Sequence, residues 1–219
     1  MPLIDMSIEE RGYEPASIAL AVRTVGSCPA ACHRPDARIL FGIGVLAVVP
    51  DPDGGSRFAA DAMCLSEGES AVDLLEWLEP QIPSHDGAIV TYSNWGSVPR
   101  RLIALADPTL HPNIVKAAAD TSGRWRDMPR GHTWHIRQAR AMHMPCLCRP
   151  NTPVDECDAA MPTYLLPNPV TTAAELIGEA IAGWQCWARM FGDFDDPLHP
   201  AQSALRALDR WRADQHTAR

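Results

Sequence analysis

The chain has 219 residues, 46% hydrophobic and 21% charged, with a formal net charge of −8. That length allows a single domain with a substantial core, and the apolar share excludes intrinsic disorder. No apolar run approaches the ~18–20 residues of a membrane span, and residues 1–11 lack a secretory signal, so a soluble cytoplasmic protein with no membrane partner is expected. The seven cysteines have no regular disulfide spacing, which argues for free thiols in a reducing compartment. Excess negative charge excludes a protein that coats nucleic acid indiscriminately. The charge is unevenly spread. Residues 1–99 hold 5 basic and 14 acidic residues, 100–150 hold 9 and 3, and 151–198 hold 1 and 8. A basic island lies between two acidic flanks.

In chain order, residues 1–15 read as an N-terminal arm. Ser17 to Val25 and the almost wholly apolar Ile39 to Val49 are predicted strands. Asp51-Pro-Asp-Gly-Gly55 is a turn signal, and Arg57 to Leu65 returns as a third strand, which makes an antiparallel meander. Ser66 and Glu69 have the spacing of a capping box before a helix that runs to Pro80. Gly87 to Tyr92 is a fourth strand, Val98 to Ala106 a helix, and Ile114 to Ala119 a fifth strand. Thr133 to His143 is a predicted helix closed by Pro145, and the proline-rich 146–169 an extended loop. Thr171 to Phe191 is a long helix. Pro200 to Ala213 is a last, amphipathic one. The expected fold class is α/β, with a mixed five-stranded sheet, part meander and part parallel, flanked by helices.

Three segments then carry a resemblance. Ile18-Ala-Leu-Ala-Val-Arg-Thr-Val-Gly26 has the frame of a strand that ends in Asp-x-Glu, with Ala21 and Arg23 at the acidic positions. Val90-Thr-Tyr-Ser-Asn-Trp-Gly-Ser-Val-Pro-Arg-Arg-Leu102 has the frame of a second motif, with Ser93 at its asparagine and Ser97 at its aspartate. Ala174-Glu-Leu-Ile-Gly-Glu-Ala-Ile-Ala182 has the frame of a third, with Ala174 at its histidine and Glu179 at its aspartate. In this order and spacing the chain resembles the ribonuclease H-like DEDD 3′–5′ exonucleases over about residues 16–191, with residues 192–219 as a C-terminal helix and tail. The resemblance implies that fold. It also implies an active site of four carboxylates, of which only Glu179 remains.

Two-metal phosphodiester hydrolysis needs anionic oxygens for two divalent ions. With Ala21, Arg23 and Ser97 at three of the four positions, the expected protein is a catalytically inactive exonuclease-like one with no cofactor. It would bind nucleic acid, preferably a single strand, or a protein partner as a subunit of a nucleic-acid-processing assembly. Arg23, Arg100, Arg101, Arg124, Arg126, Arg130, Arg137 and Arg140 are the candidate phosphate contacts, and Trp125 and Trp134 the candidate stacking residues. A solvated helix face with core tryptophans explains the same composition. Two rivals stay open. One is an active Mg- or Mn-dependent 3′–5′ exonuclease with relocated ligands, Glu179 and Asp120 joined by Asp36. The other is a purely structural assembly protein. His143, Cys146, Cys148 and Cys157 are a candidate zinc set, and Cys28, Cys32 and His33 a weaker one.

Overall fold

A computed structural model describes residues 12–26, 38–52, 55–82, 87–92, 98–120, 122–127, 167–191 and 198–217. Five strands form one sheet: β1 (Ser17–Gly26), β2 (Arg38–Pro50), β3 (Ser56–Cys64), β4 (Ala88–Tyr92) and β5 (Trp125–Asp127). Their spatial order is β3-β2-β1-β4-β5. The pairs β1–β2 and β2–β3 are antiparallel. The pairs β1–β4 and β4–β5 are parallel. The expected mixed sheet, with its meander, is therefore present.

Alternation along the strands sorts side chains to two faces. On one face Ala19, Ala21, Leu46, Val48 and Val90 pack in a cluster with Leu176, Ala180, Trp184 and Trp187 of α4 (Pro169–Phe191), and with Ala204 and Leu208 of α5 (Pro200–Thr217). On the other face Ile18, Leu20, Ile43, Val45 and Ile89 meet α1 (Ala71–Leu78), α2 (Val98–Leu105) and α3 (Pro112–Ala119). Helices thus cover both faces of the sheet. No helix among the described residues is long and apolar enough to cross a membrane.

Two expectations about elements are corrected. Residues 112–119 are helical, not a fifth strand. Pro112 sits in the first turn, where its missing N–H costs nothing. The Glu79 carboxylate accepts from the N–H groups of Asn113 at 2.7 Å and Ile114 at 3.0 Å. The fifth strand is instead Trp125–Asp127, too short to announce itself by periodicity. The cap of α1 also lies four residues later than expected. Ser66 and Glu69 do interact, through a 2.6 Å bond from the Ser66 N–H to Oε2. The helix, however, is capped by the Ser70–Asp73 pair, with both reciprocal bonds formed. The predicted helix Thr133 to His143 and the loop 146–169 fall outside the described residues, apart from the last three positions of that loop.

Candidate functional site

The site is built where β1 passes beneath α4. Three small residues make this crossing close: Ala21 on β1, and Gly42 and Gly44 opposite it on β2. Gly44 pairs with Ala21, and Gly42 with Arg23. A Cβ on Gly44 would lie 2.6 Å from the backbone carbonyl carbon and oxygen of Leu176. On Gly42 it would lie 2.6 Å from Cys64 Sγ and 2.9 Å from a Leu176 methyl. Helix and sheet therefore touch through backbone, and Ala21 between them is 0% exposed.

Just beyond this contact the register of β1 against β2 slips between Arg23 and Thr24. An extra residue in one strand of an antiparallel pair bends the ladder and re-aims nearby side chains. Arg23 keeps the α4-facing parity of Ala19 and Ala21, and its Nη2 donates to Oε1 of Glu179 at 2.7 Å. The same nitrogen lies 3.2 Å from Oε2 of Glu175, one helical turn back on α4. The three side chains are 21%, 14% and 26% exposed for Arg23, Glu179 and Glu175. Burial raises the Glu179 carboxyl above its ordinary range, and the Arg23 charge offsets only part of that rise. Cys64 borders the cluster; burial pushes its thiol up to about 11, again against the pull of Arg23.

Of the four positions that the resemblance marks, Ala21, Arg23 and Glu179 come together at this crossing, while Ser97 lies outside the described residues. The donor set does not fit a pair of divalent ions. Ala21 supplies a buried methyl group, and a guanidinium occupies the space between the two carboxylates. A metal ion there would meet one fixed positive charge and no carboxylate from position 21 or 23.

The basic island divides. Arg124 and Arg126 are each 5% exposed, and both belong to the fold. Arg124 donates from Nε to the Gly87 carbonyl at 3.0 Å. Arg126 donates to Glu14 at 2.8 Å, tying residues 12–16 to β5. Trp125 turns to the opposite face and donates its indole N–H to the Ala117 carbonyl at 2.8 Å. In these contacts all three side chains hold β5 in the fold, and a guanidinium this buried would have to leave its partner to reach a phosphate. Arg100 is exposed and Arg101 half-buried on α2, in the helix layer opposite α4 rather than beside Arg23. Arg130, Trp134, Arg137 and Arg140 lie outside the described residues, as do His143, Cys146, Cys148 and Cys157.

Of the relocated-ligand set, the two described members, Asp120 and Glu179, are not brought together. Asp120 is spent on its own turn, accepting from the Ser122 N–H at 2.7 Å and from its hydroxyl at 2.9 Å. It ends α3, on the face of the sheet away from Glu179, and Asp36 is outside the described residues. Sequence reasoning missed Glu175. Its signal was present as an i, i+4 pair with Glu179, a spacing that puts both carboxylates on one helix face. No family model matches the chain, and no curated protein matches its sequence.

Proposed function

We propose that this chain is a ribonuclease H-like protein, similar to the DEDD 3′–5′ exonucleases, that binds without hydrolysing and serves as a subunit of a nucleic-acid-processing assembly. The strand order β3-β2-β1-β4-β5, antiparallel through β1 and parallel beyond it, supports the fold half of this reading. One observation carries the functional half. Arg23 sits between Glu175 and Glu179 beside a buried Ala21, where two-metal hydrolysis requires carboxylates and ions.

The same observation weighs against Arg23 as a phosphate contact, since two carboxylates already neutralise it. Contact with a single strand then falls to Arg100 and Arg101 of α2, and to Arg130, Trp134, Arg137 and Arg140. A partner-binding scaffold without nucleic acid is the second reading. It is favoured by the burial of Arg124 and Arg126 and by the bond of the half-buried Trp125 to Ala117.

An end-labelled single strand incubated with the protein and Mg²⁺ or Mn²⁺ tests the proposal. No shortening is expected, from the wild type or from Glu179→Ala. Digestion by the wild type that Glu179→Ala abolishes would overturn it. Binding of the same strand, measured at two salt concentrations, separates the two readings. Affinity that falls steeply with salt and weakens in Arg100→Ala/Arg101→Ala supports the nucleic-acid version. Absence of binding at low salt leaves the scaffold.

A further inference from the structure

β3 (Ser56–Cys64) is the outer strand of the described sheet, nine residues long and paired on one side only, with β2. In an antiparallel ladder, successive residues turn their N–H and C=O groups alternately toward the partner and away from it. The Leu65 N–H donates to the Phe41 carbonyl at 2.8 Å, which extends the β2–β3 register by one pair and fixes the parity. Odd-numbered residues of β3 therefore bond to β2, and Phe58, Ala60 and Ala62 direct their backbone groups outward. The Ala62 N–H is met by Oδ1 of the adjacent Asp61 at 2.8 Å. Among the described residues, the N–H groups of Phe58 and Ala60 have no such cover. An open run of outward donors and acceptors is a template for another strand.

We propose that this edge pairs with the same edge of a second copy of the chain, antiparallel about a two-fold axis at Ala59. Arg57, Ala59 and Asp61 are exposed together on one face of the strand. Phe58, whose ring lies 5.9 Å from that of Trp211, points to the other face, which the helices cover. Outward residues have to meet outward residues, so the axis passes through a residue rather than between two. Centring on Ala59 sets Phe58 opposite Ala60 of the second copy, twice, and their open backbone groups bond to one another. It also sets Arg57 opposite Asp61 of the second copy at both ends, in the close, non-hydrogen-bonded class of pair. Centring on Arg57 or on Asp61 would instead put like charges face to face. Arg57 is free to turn to this partner, since it is 66% exposed and 3.7 Å from Asp51 in its own chain. The exposed Val49, opposite Arg57 on β2, extends the contact along the same face. Such a contact is self-complementary, as a two-fold dimer requires, and joins the sheets of two chains into one. It lies on the edge away from β5 and involves none of Arg23, Glu175 or Glu179, so it stands apart from the question of hydrolysis.

Analytical ultracentrifugation of the full chain over a concentration series tests this, with circular dichroism to check that each variant is folded. The wild type is expected to reach twice the mass of the chain. Arg57→Asp and Asp61→Arg each set like charges opposite one another and should each weaken the dimer about tenfold. Mixing the two variants should restore it, because one copy then carries two acids and the other two bases at the paired positions. A wild type that stays monomeric at its highest soluble concentration overturns the proposal. So does a dimer that ignores both charge reversals, or a mixture no tighter than its parts. Ala59→Cys reads the register directly. A non-hydrogen-bonded pair brings its Cα atoms to about 4.5 Å, within disulfide reach, so mild oxidation should link two copies through position 59, as peptide mass spectrometry would identify. Absence of that link overturns the proposal, and this readout stands even if a charge variant fails to fold.

Discussion

Gly44 is where one missing atom matters most. The carbonyl group of Leu176 occupies the space a Cβ would need, at 2.6 Å, and backbone cannot rotate away as a side-chain end can. Gly44→Ala therefore has to lift α4 from the sheet, a cost of about 1–3 kcal/mol for an overpacked core. Gly178 on the exposed side of the same helix has nothing within 4 Å of its Cβ position. Gly178→Ala should be stabilising by about 0.5–1 kcal/mol, from helix propensity alone. Urea unfolding of the two variants checks the contrast; equal effects would mean that the close crossing is not what Gly44 serves. Tyr13 makes a different residue-scale case. Its ring lies 5.3 Å from that of Trp187 and 6.3 Å from that of Phe191, and burial raises its hydroxyl from 10.0 to about 12. The folded state thus prefers the neutral phenol. The stability this gives is fully present below the unfolded pKa of about 10 and is lost as pH rises toward about 12. Tyr13→Phe should accordingly flatten the fall in urea midpoint between those two pH values. An unchanged slope would show that another group sets the alkaline limit.

At the scale of elements, the start of α1 separates two serines that look alike in sequence. Ser66 and Ser70 both precede an acidic residue by three positions, and both backbone N–H groups bond to that residue's carboxylate. Only the hydroxyl of Ser70 also accepts, from the Val72 N–H at 3.3 Å, and so meets an unpaired donor of the helix. Ser70→Ala is expected to cost about 0.5–2 kcal/mol, and Ser66→Ala no more than about 0.5 kcal/mol, as for an ordinary surface position. Chemical denaturation of both variants reads the difference; the reverse ranking would place the cap at Ser66. The strand β5 is a second lesson at this scale. It is three residues long, and side chains hold it beside its ladder with β4: Arg124 bonds to Gly87, Trp125 to Ala117 and Arg126 to Glu14. Arginine and tryptophan side by side suggested a nucleic-acid surface. In the fold they anchor an edge strand on both faces.

For the whole molecule, the crossing of α4 over β1 constrains positions 21 and 23 together. An aspartate at position 21 would bury a carboxylate in the cluster that contains Leu176 and Ala180, and a glutamate at position 23 would gather three acidic groups at one crossing in place of the Arg23 ion pairs. The close approach of α4 and the arginine between its glutamates thus form one arrangement. The long apolar strands and helices were legible because their periodicity is sustained: β1, β2, β3, α4 and α5 all lie within a few residues of their predicted spans. Short elements were not. Ile114 to Ala119 read as a strand, because Ile114 and Val115 favour β structure while the Glu79 cap that secures the helix lies 34 and 35 positions before the N–H groups it binds.

The sequence by itself determined the α/β class, the antiparallel meander of β1 to β3, and the absence of carboxylates at positions 21, 23 and 97, since each follows from local pattern or residue identity. Only the tertiary structure decided what Arg23 does. Its two partners lie more than 150 positions away, on a helix brought to it by the glycines of β2. A charge is assigned its role by the nearest opposite charges, and these are neighbours in space that no local pattern reveals.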